Sequence, residues 1–174
     1  MKIYTKKGDA GETMLFSGRR VAKNSWVVIA AGDLDEVSAA LGLARIVCPS
    51  IAQDLREIQR DLYVIGAVVS GEGKRAEPVL NEDAVRRLEK LIDDVEAGLP
   101  ELRDFIYPGE SEGGARLHMA RAVTRRAERS ISALDTPPAP PAVLSYINRL
   151  SDLLFVWARK ADLDAGLIER RFKE

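Results

Sequence analysis

The most constraining feature of this sequence is a spacing: over most of its length, apolar residues return every three or four positions. Ile51, Leu55, Ile58, Leu62, Ile65 and Val69 make the cleanest stripe. Val28, Ala31, Leu34, Val37, Ser38, Leu41 and Ala44 approximate the same period before it, and Ala84, Val85, Leu88, Leu91, Ile92 and Val95 follow it. Val123, Ala127, Ile131 and Leu134 share one face of a fourth stretch, and Ile147, Leu150, Leu154, Trp157 and Ala161 one face of a fifth. This is the period of the α-helix, and no stretch alternates convincingly enough to predict a strand. Helices with one apolar stripe bury it against one another.

Punctuation sets the ends. A first helix runs from about Trp26 to Cys48-Pro49, where proline stops it, and Ser50 is a candidate cap for the second. Ser70-Gly71-Glu72-Gly73 ends the second, Asn81 caps the third, and Gly98-Leu99-Pro100 closes it. A loop over 99–110 precedes a helix from Ser111 to about Leu134. The stretch Thr136-Pro137-Pro138-Ala139-Pro140-Pro141 reads as a stiff spacer before a last helix that runs to Asp164. The expectation is an all-α, five-helix up-and-down bundle in one domain of 174 residues. Residues 1–25 read as an irregular basic loop, 26–164 as the bundle and 165–174 as a short charged tail.

Composition narrows the chemistry. One Cys excludes a disulfide within the chain and a Cys-rich zinc site, and one His excludes a poly-His metal centre and weakens any Ser-His-Asp proposal. A net charge of −1 argues against bulk nucleic-acid binding. No apolar run is long enough to span a bilayer, and the first residues lack the apolar core of a signal peptide. A cytoplasmic protein without nucleic-acid or membrane partners is therefore expected.

The average charge hides two basic regions. Five arginines lie between Ala115 and Ser130 against one glutamate. At about 100° per residue, Arg121, Arg125 and Glu128 fall on one face, away from the apolar one, with Arg129 alongside. Like charges so close repel unless an anion, a neighbouring helix or a second subunit offsets them, and a guanidinium suits phosphate because it donates two hydrogen bonds at once. The segment Thr5-Lys6-Lys7-Gly8-Asp9-Ala10-Gly11-Glu12-Thr13 has the composition of a phosphate cradle but lacks the Gly-Lys-Ser/Thr of a P-loop. A mobile basic terminus is the alternative reading. Asp33, Asp35 and Glu36 either pair with the arginines or bind a divalent ion. Asn148, Asp152 and Arg159 share a face of the last helix. His118 reads as structural, Cys48 carries no implied chemistry, and Phe105 and Tyr107 either anchor their loop or wall a flat ligand.

Taken together, these segments resemble the PduO-type ATP:cob(I)alamin adenosyltransferases. The matching pieces are Tyr4 to Thr13 with Arg20 and Lys23, Gly32-Asp33-Leu34-Asp35-Glu36, Phe105-Ile106-Tyr107-Pro108-Gly109, His118 to Arg129, and Tyr146 to Phe155. The resemblance implies a ferritin-like five-helix bundle assembled as a homotrimer, with active sites between subunits. It implies transfer of the 5′-deoxyadenosyl group of ATP to a reduced corrinoid, cobalamin in the type reaction, with triphosphate released and Mg²⁺ on the phosphates, no protein ligand of the ion being assigned. Carried over by motif, Thr5, Lys6, Lys7, Gly8, Asp9, Gly11, Glu12, Thr13, Met14 and Lys23 wrap the triphosphate. Arg125, Arg126, Glu128, Arg129 and Asn148 of an adjacent subunit complete the ATP site. Asp35 and Arg121 match an acid–arginine pair across the interface near the corrinoid. Phe105 matches an aromatic that keeps the lower axial ligand off cobalt. Hand-off of the product to an adenosylcobalamin-dependent enzyme is a further implied partnership. Glu110 stands where the family usually has glycine, and Ser17 to Ala22 also depart from its pattern.

Such a reaction explains the scarcity of catalytic side chains. The cobalt is the nucleophile, and the protein need only position C5′ and stabilise the departing triphosphate.

Overall fold

The computed structural model describes residues 4, 6, 8–15, 17–72, 80–135 and 138–172. Five helices dominate it: α1 (Trp26–Val47), α2 (Ala52–Ala67), α3 (Glu82–Glu96), α4 (Glu112–Ser132) and α5 (Pro141–Asp164). The expected stripes are the buried ones. Leu55, Ile58, Leu62 and Ile65 of α2 lie in the core with Leu34, Val37 and Leu41 of α1. Leu88 of α3 and Leu117, Ala127 and Ile131 of α4 join them. The central helix is α5, buried along most of its 24 residues from Val143 to Asp162. At 1.5 Å per residue it spans about 36 Å. It packs against α3 and α4, while α4 also packs on α1, and α1 on α2.

The helix ends show which signals were sound. Asn81 Oδ1 accepts from the Ala84 N–H at 3.2 Å, so that cap forms where expected; Ser111, expected only to start its helix, also caps it, its Oγ accepting from the Gly114 N–H at 2.9 Å. Ser50 does not cap α2. Pro49–Ile51 instead form a single 3₁₀ turn, and α2 starts at Ala52 with no side-chain cap. Proline fixes the φ that a 3₁₀ turn needs, so the chain turns before a capping geometry can form. At the far end α2 widens into a π turn, Val68–Glu72, released by the positive φ of Gly71. Pro141 opens α5 at its first position, where its missing N–H costs nothing.

Two corrections concern the flanks. The N-terminal segment is not wholly irregular. Strands β1 (Glu12–Met14) and β2 (Arg20–Ala22) pair antiparallel, with Thr13 opposite Val21. Three residues per strand are too few for alternation to register in the sequence. The C-terminal residues are not a free tail either. Leu167 N–H donates to the Asp162 carbonyl, Tyr107 N–H to the Arg170 carbonyl at 2.9 Å, and Phe172 N–H to the Phe105 carbonyl at 3.0 Å. The end of the chain thus runs back along the α3–α4 loop, with Ile106 opposite Arg171.

Candidate active site

Arginines of α4 part company on folding, because adjacent positions on a helix face different neighbours. Arg126 turns to α1, where its Nε donates to the buried Asp33 at 3.0 Å and its Nη2 pairs with Glu36. Pairing with the acidic cluster is thus the outcome for Asp33 and Glu36. Arg129 donates to the Arg125 carbonyl at 2.9 Å. Arg121 and Arg125, one turn apart, face a cleft of about 440 Å³ between α3, α4 and α5. Its other walls include Glu89 and Asp93 of α3, and Arg149, Asp152 and Phe155 of α5.

A chain of hydrogen bonds braces this cleft. Glu128 accepts from Asn148 Nδ2 at 3.1 Å, Asn148 Oδ1 accepts from Arg149 at 2.9 Å, and Arg149 also reaches Glu89 and Asp152, each at 3.1 Å. The paired carboxylates raise the Arg149 pKa further, Glu89 first. Asn148 and Asp152 are therefore together, as their spacing implied. Arg159 is not with them. It lies about 16 Å beyond Asn148 and about 10 Å beyond Asp152 along α5 and is buried against Glu169.

Arg121 is the exception to this pairing. Its Nε is buried and finds no hydrogen-bond acceptor among the described residues, and its Cζ lies 5.8 Å from the Phe155 ring centre. Burial, then the charge of Arg125, lowers its pKa, although a guanidinium stays charged at neutral pH. Behind it His118 is 5% exposed, and neither ring nitrogen has a hydrogen-bond partner among the described residues. Burial, then Arg121, holds its imidazole below the ordinary value, and its ring meets the edge of Phe155 at 5.9 Å.

The hairpin residues form a separate group. Gly11 N–H donates to the Gly8 carbonyl, and Lys23 N–H to the Gly11 carbonyl at 2.9 Å, which closes the turn beside β1. The Lys23 side chain lies over Gly8, where an added Cβ would meet its Cε and Nζ at 3.3 Å. Glu12 pairs with Arg20 across the hairpin at 3.1 Å. Asp9 and Met14 are exposed, and Lys6 Nζ stands 6.0 Å from the Tyr4 ring centre. Thr5 and Lys7 lie outside the described residues. Asp35 is exposed on α1 and lines a second groove, of about 340 Å³, with Tyr63 and Ser70. Asp35 and Arg121 thus open onto different cavities of the same chain. Phe105 is 84% exposed and does not anchor its loop in the core.

Asp162, Gly114 and Glu169 organise the site and were not singled out in the sequence; Arg159 was, but for its face of α5 and not for the partners it meets. Asp162, 2% exposed, accepts from the Ser111 N–H and Oγ, both at 2.7 Å, and from the Glu110 N–H at 3.2 Å. Gly114 packs flat on this carboxylate, since a Cβ there would sit 2.0 Å from Oδ1. Gly109 has φ +84° and lies against Ala115. Arg159, also 2% exposed, donates to Glu169 at 2.5 Å and to the Pro100 carbonyl at 2.7 Å. The available signal was a polar residue inside an apolar stripe: Leu154, Ala158 and Asp162 lie on consecutive turns of one buried face. Among the described residues no group of three His, Cys, Asp or Glu side chains is placed to hold a metal ion.

Comparison with known proteins gives one consistent result. The family model for cobalamin adenosyltransferase matches residues 3–161. The corrinoid adenosyltransferase PduO of Citrobacter freundii is 44% identical over 173 residues, which is 95% of this chain and 51% of that protein. The corrinoid adenosyltransferase of Mycobacterium tuberculosis is 42% identical over 179 residues, covering 97% of this chain and 93% of that protein. The chain therefore spans about half of the first relative and nearly all of the second. Among solved structures, a phenylalanine-to-histidine variant of a PduO-type ATP:corrinoid adenosyltransferase from Lactobacillus reuteri, complexed with cobalamin and ATP, matches with a TM-score of 0.92. It is 31% identical, and the match covers 99% of this chain and 97% of that one. An arginine-to-lysine variant complexed with ATP matches with a TM-score of 0.89 at 31% identity, over 98% and 99% of the two chains.

Proposed function

This chain belongs to the cobalamin adenosyltransferase family, and from that premise we propose that it is an ATP:corrinoid adenosyltransferase, forming adenosylcobalamin and triphosphate. The observation that carries this reading furthest is the α3–α4–α5 cleft. Arg121 and Arg125 face it on consecutive turns, and the Arg121 Nε has no acceptor among the described residues. A buried donor left unsatisfied is costly, and a ligand bearing carbonyl or phosphate oxygens relieves that cost. The cleft volume is within the range of small-molecule sites.

In the step itself, the electron pair on cobalt(I) attacks C5′ of ATP. The C5′–O bond breaks and its electrons leave with the triphosphate. No protein base moves a proton, which accords with a chain holding one His and one Cys. The protein's work is to set the reacting atoms in line and to stabilise charge on the leaving group. Arg125, Arg129 and Asn148 supply donors from α4 and α5. Arg126 brings a guanidinium already fixed by Asp33 and Glu36. The segment from Thr5 to Met14, with Lys23, supplies the other half of the ATP site from a neighbouring copy, in a homotrimer with active sites between subunits. Asp35 and Arg121, which open onto separate cavities of one chain, are then partners across that interface. Mg²⁺ enters on the nucleotide's phosphates. The product passes to an adenosylcobalamin-dependent enzyme in the cytoplasm; no described helix is long and apolar enough to cross a membrane.

The test is anaerobic. Protein, ATP and chemically reduced cobalamin are mixed, and adenosylcobalamin is followed by its absorbance while the phosphorus products are separated. Adenosylcobalamin with intact triphosphate supports the assignment. Binding of both substrates without either product would overturn it.

A further inference from the structure

We propose that the C-terminal segment Ile168–Phe172 is a strap that positions Phe105, with Glu169 and Phe172 as its anchors. The proposal rests on the reading of Phe105 as a residue that faces the corrinoid. Phe105 presents its question plainly: a large apolar ring, 84% exposed, sits in a loop with no regular structure of its own. Exposed loop residues move unless something outside the loop fixes their backbone.

The tail does this from both sides of the ring. Phe172 N–H donates to the Phe105 carbonyl at 3.0 Å and Tyr107 N–H to the Arg170 carbonyl at 2.9 Å, with Ile106 opposite Arg171 between them. Side chains alternate along such a ribbon, so Phe105 and Tyr107 share one face with Phe172. The Tyr107 and Phe172 rings meet there with centres 4.3 Å apart, a diagonal pair of the kind that fixes strand register. A ribbon of three residues a side is too short to hold itself. Its ends are held by charge. Glu169 accepts from the buried Arg159 at 2.5 and 3.2 Å, and the same guanidinium donates to the Pro100 carbonyl at 2.7 Å, so one side chain grips the tail and the start of the Phe105 loop together. Arg170 reaches Glu110 at 3.6 Å just beyond the loop's other end. Arg159 also lies 6.0 Å from the Phe155 ring centre, whose other cationic neighbour is Arg121 of the cleft. The strap is thereby tied to the floor of the site as well as to Phe105.

Glu169 and Phe172 are positioning residues, acting through Phe105. Phe172→Ala, whose ring is half exposed, removes the aromatic pair without opening the core. A chain ending at Leu167 removes the whole strap. Each is made with and without Phe105→Ala, and KM for reduced cobalamin, KM for ATP, kcat and melting temperature are measured. We expect Phe172→Ala to raise the corrinoid KM roughly fivefold, with the ATP KM within about twofold of wild type. In the Phe105→Ala background the same change should add nothing, because the residue through which it acts is gone. Additive defects, or equal rises in both KM values, would overturn the strap. So would a corrinoid KM that stays normal in Phe172→Ala while Phe105→Ala is defective. A normal corrinoid KM in Phe105→Ala itself would instead overturn the placement of Phe105 on which the strap depends. Should the shortened chain fail to fold, Phe172→Ala carries the test by itself.

Discussion

Five guanidinium groups on one helix come to different ends, and the difference lies in what each one meets. Arg116 is spent on Glu112 and the Leu43 carbonyl, and Arg126 on Asp33 and Glu36. Arg121 and Arg125 face open space. Removing a preorganised donor to developing charge typically costs about 10²- to 10³-fold in rate. Arg125→Ala should therefore lower kcat by at least that factor while size-exclusion chromatography shows the assembly unchanged; wild-type turnover would remove Arg125 from the mechanism. A second residue-scale prediction concerns His118. Its folded pKa is below the ordinary 6.5, so below that pH an unfolded chain takes up a proton that the folded chain refuses. Stability must then fall as the pH drops from 6.5, and stop falling once the buried imidazole itself protonates. Thermal melts of wild type and His118→Gln over this window check it. The variant's melting temperature should fall less steeply, and parallel curves would show that His118 titrates as if exposed.

At the scale of the element, the start of α4 is the most tightly specified place in the fold. Ser111 caps the helix, Asp162 of α5 accepts from Ser111 and Glu110, and Gly114 leaves room for that carboxylate. Gly114→Ala would drive a methyl group into Asp162 Oδ1, 2.0 Å away. Overpacking of this kind costs about 1–3 kcal/mol, which lowers the melting temperature of a domain this size by roughly 2–12 °C. A calorimetric scan of Gly114→Ala measures it, and an unshifted transition would mean the helix start gives way freely. A comparable lattice binds α2, α3 and α5: Arg87 pairs with Glu57 at 2.6 Å and with Asp61, and Tyr146 donates to Asp61 at 2.6 Å. The cap at Asn81 and the helix start at Ser111 were legible because both are local devices, while the cap expected of Ser50 gave way to the 3₁₀ turn that Pro49 opens. The hairpin was not, because a three-residue strand has no period to read.

For the molecule as a whole, the decisive issue is that its two basic regions sit apart on the chain and are proposed to meet only between copies. This predicts complementation. Lys23→Ala lacks the hairpin half of the ATP site and Arg125→Ala the helical half, so each alone should be nearly inactive. Co-assembled at random in equal amounts, each mixed trimer would have one site in three that pairs an intact hairpin with an intact α4, about a quarter of all sites in the mixture. Activity restored to roughly that fraction of wild type is the expected result. Activity no greater than the two variants measured separately would place both halves of the site within one chain.

What the sequence determined by itself is the set of helices and most of their core. A stripe at helical period is buried whichever neighbour covers it, because water excludes it in every arrangement. The PduO-type motifs likewise pointed to the adenosyltransferase family from residues alone. Only the tertiary structure decided the partners. That Arg126 would be neutralised by α1 while Arg121 kept a bare buried Nε, that Asp162 would hold the start of α4, and that residues 168–172 would return to clasp Phe105 all depend on helices far apart in sequence. A polar side chain's role is set by distance and direction to another group, and neither is encoded in local spacing.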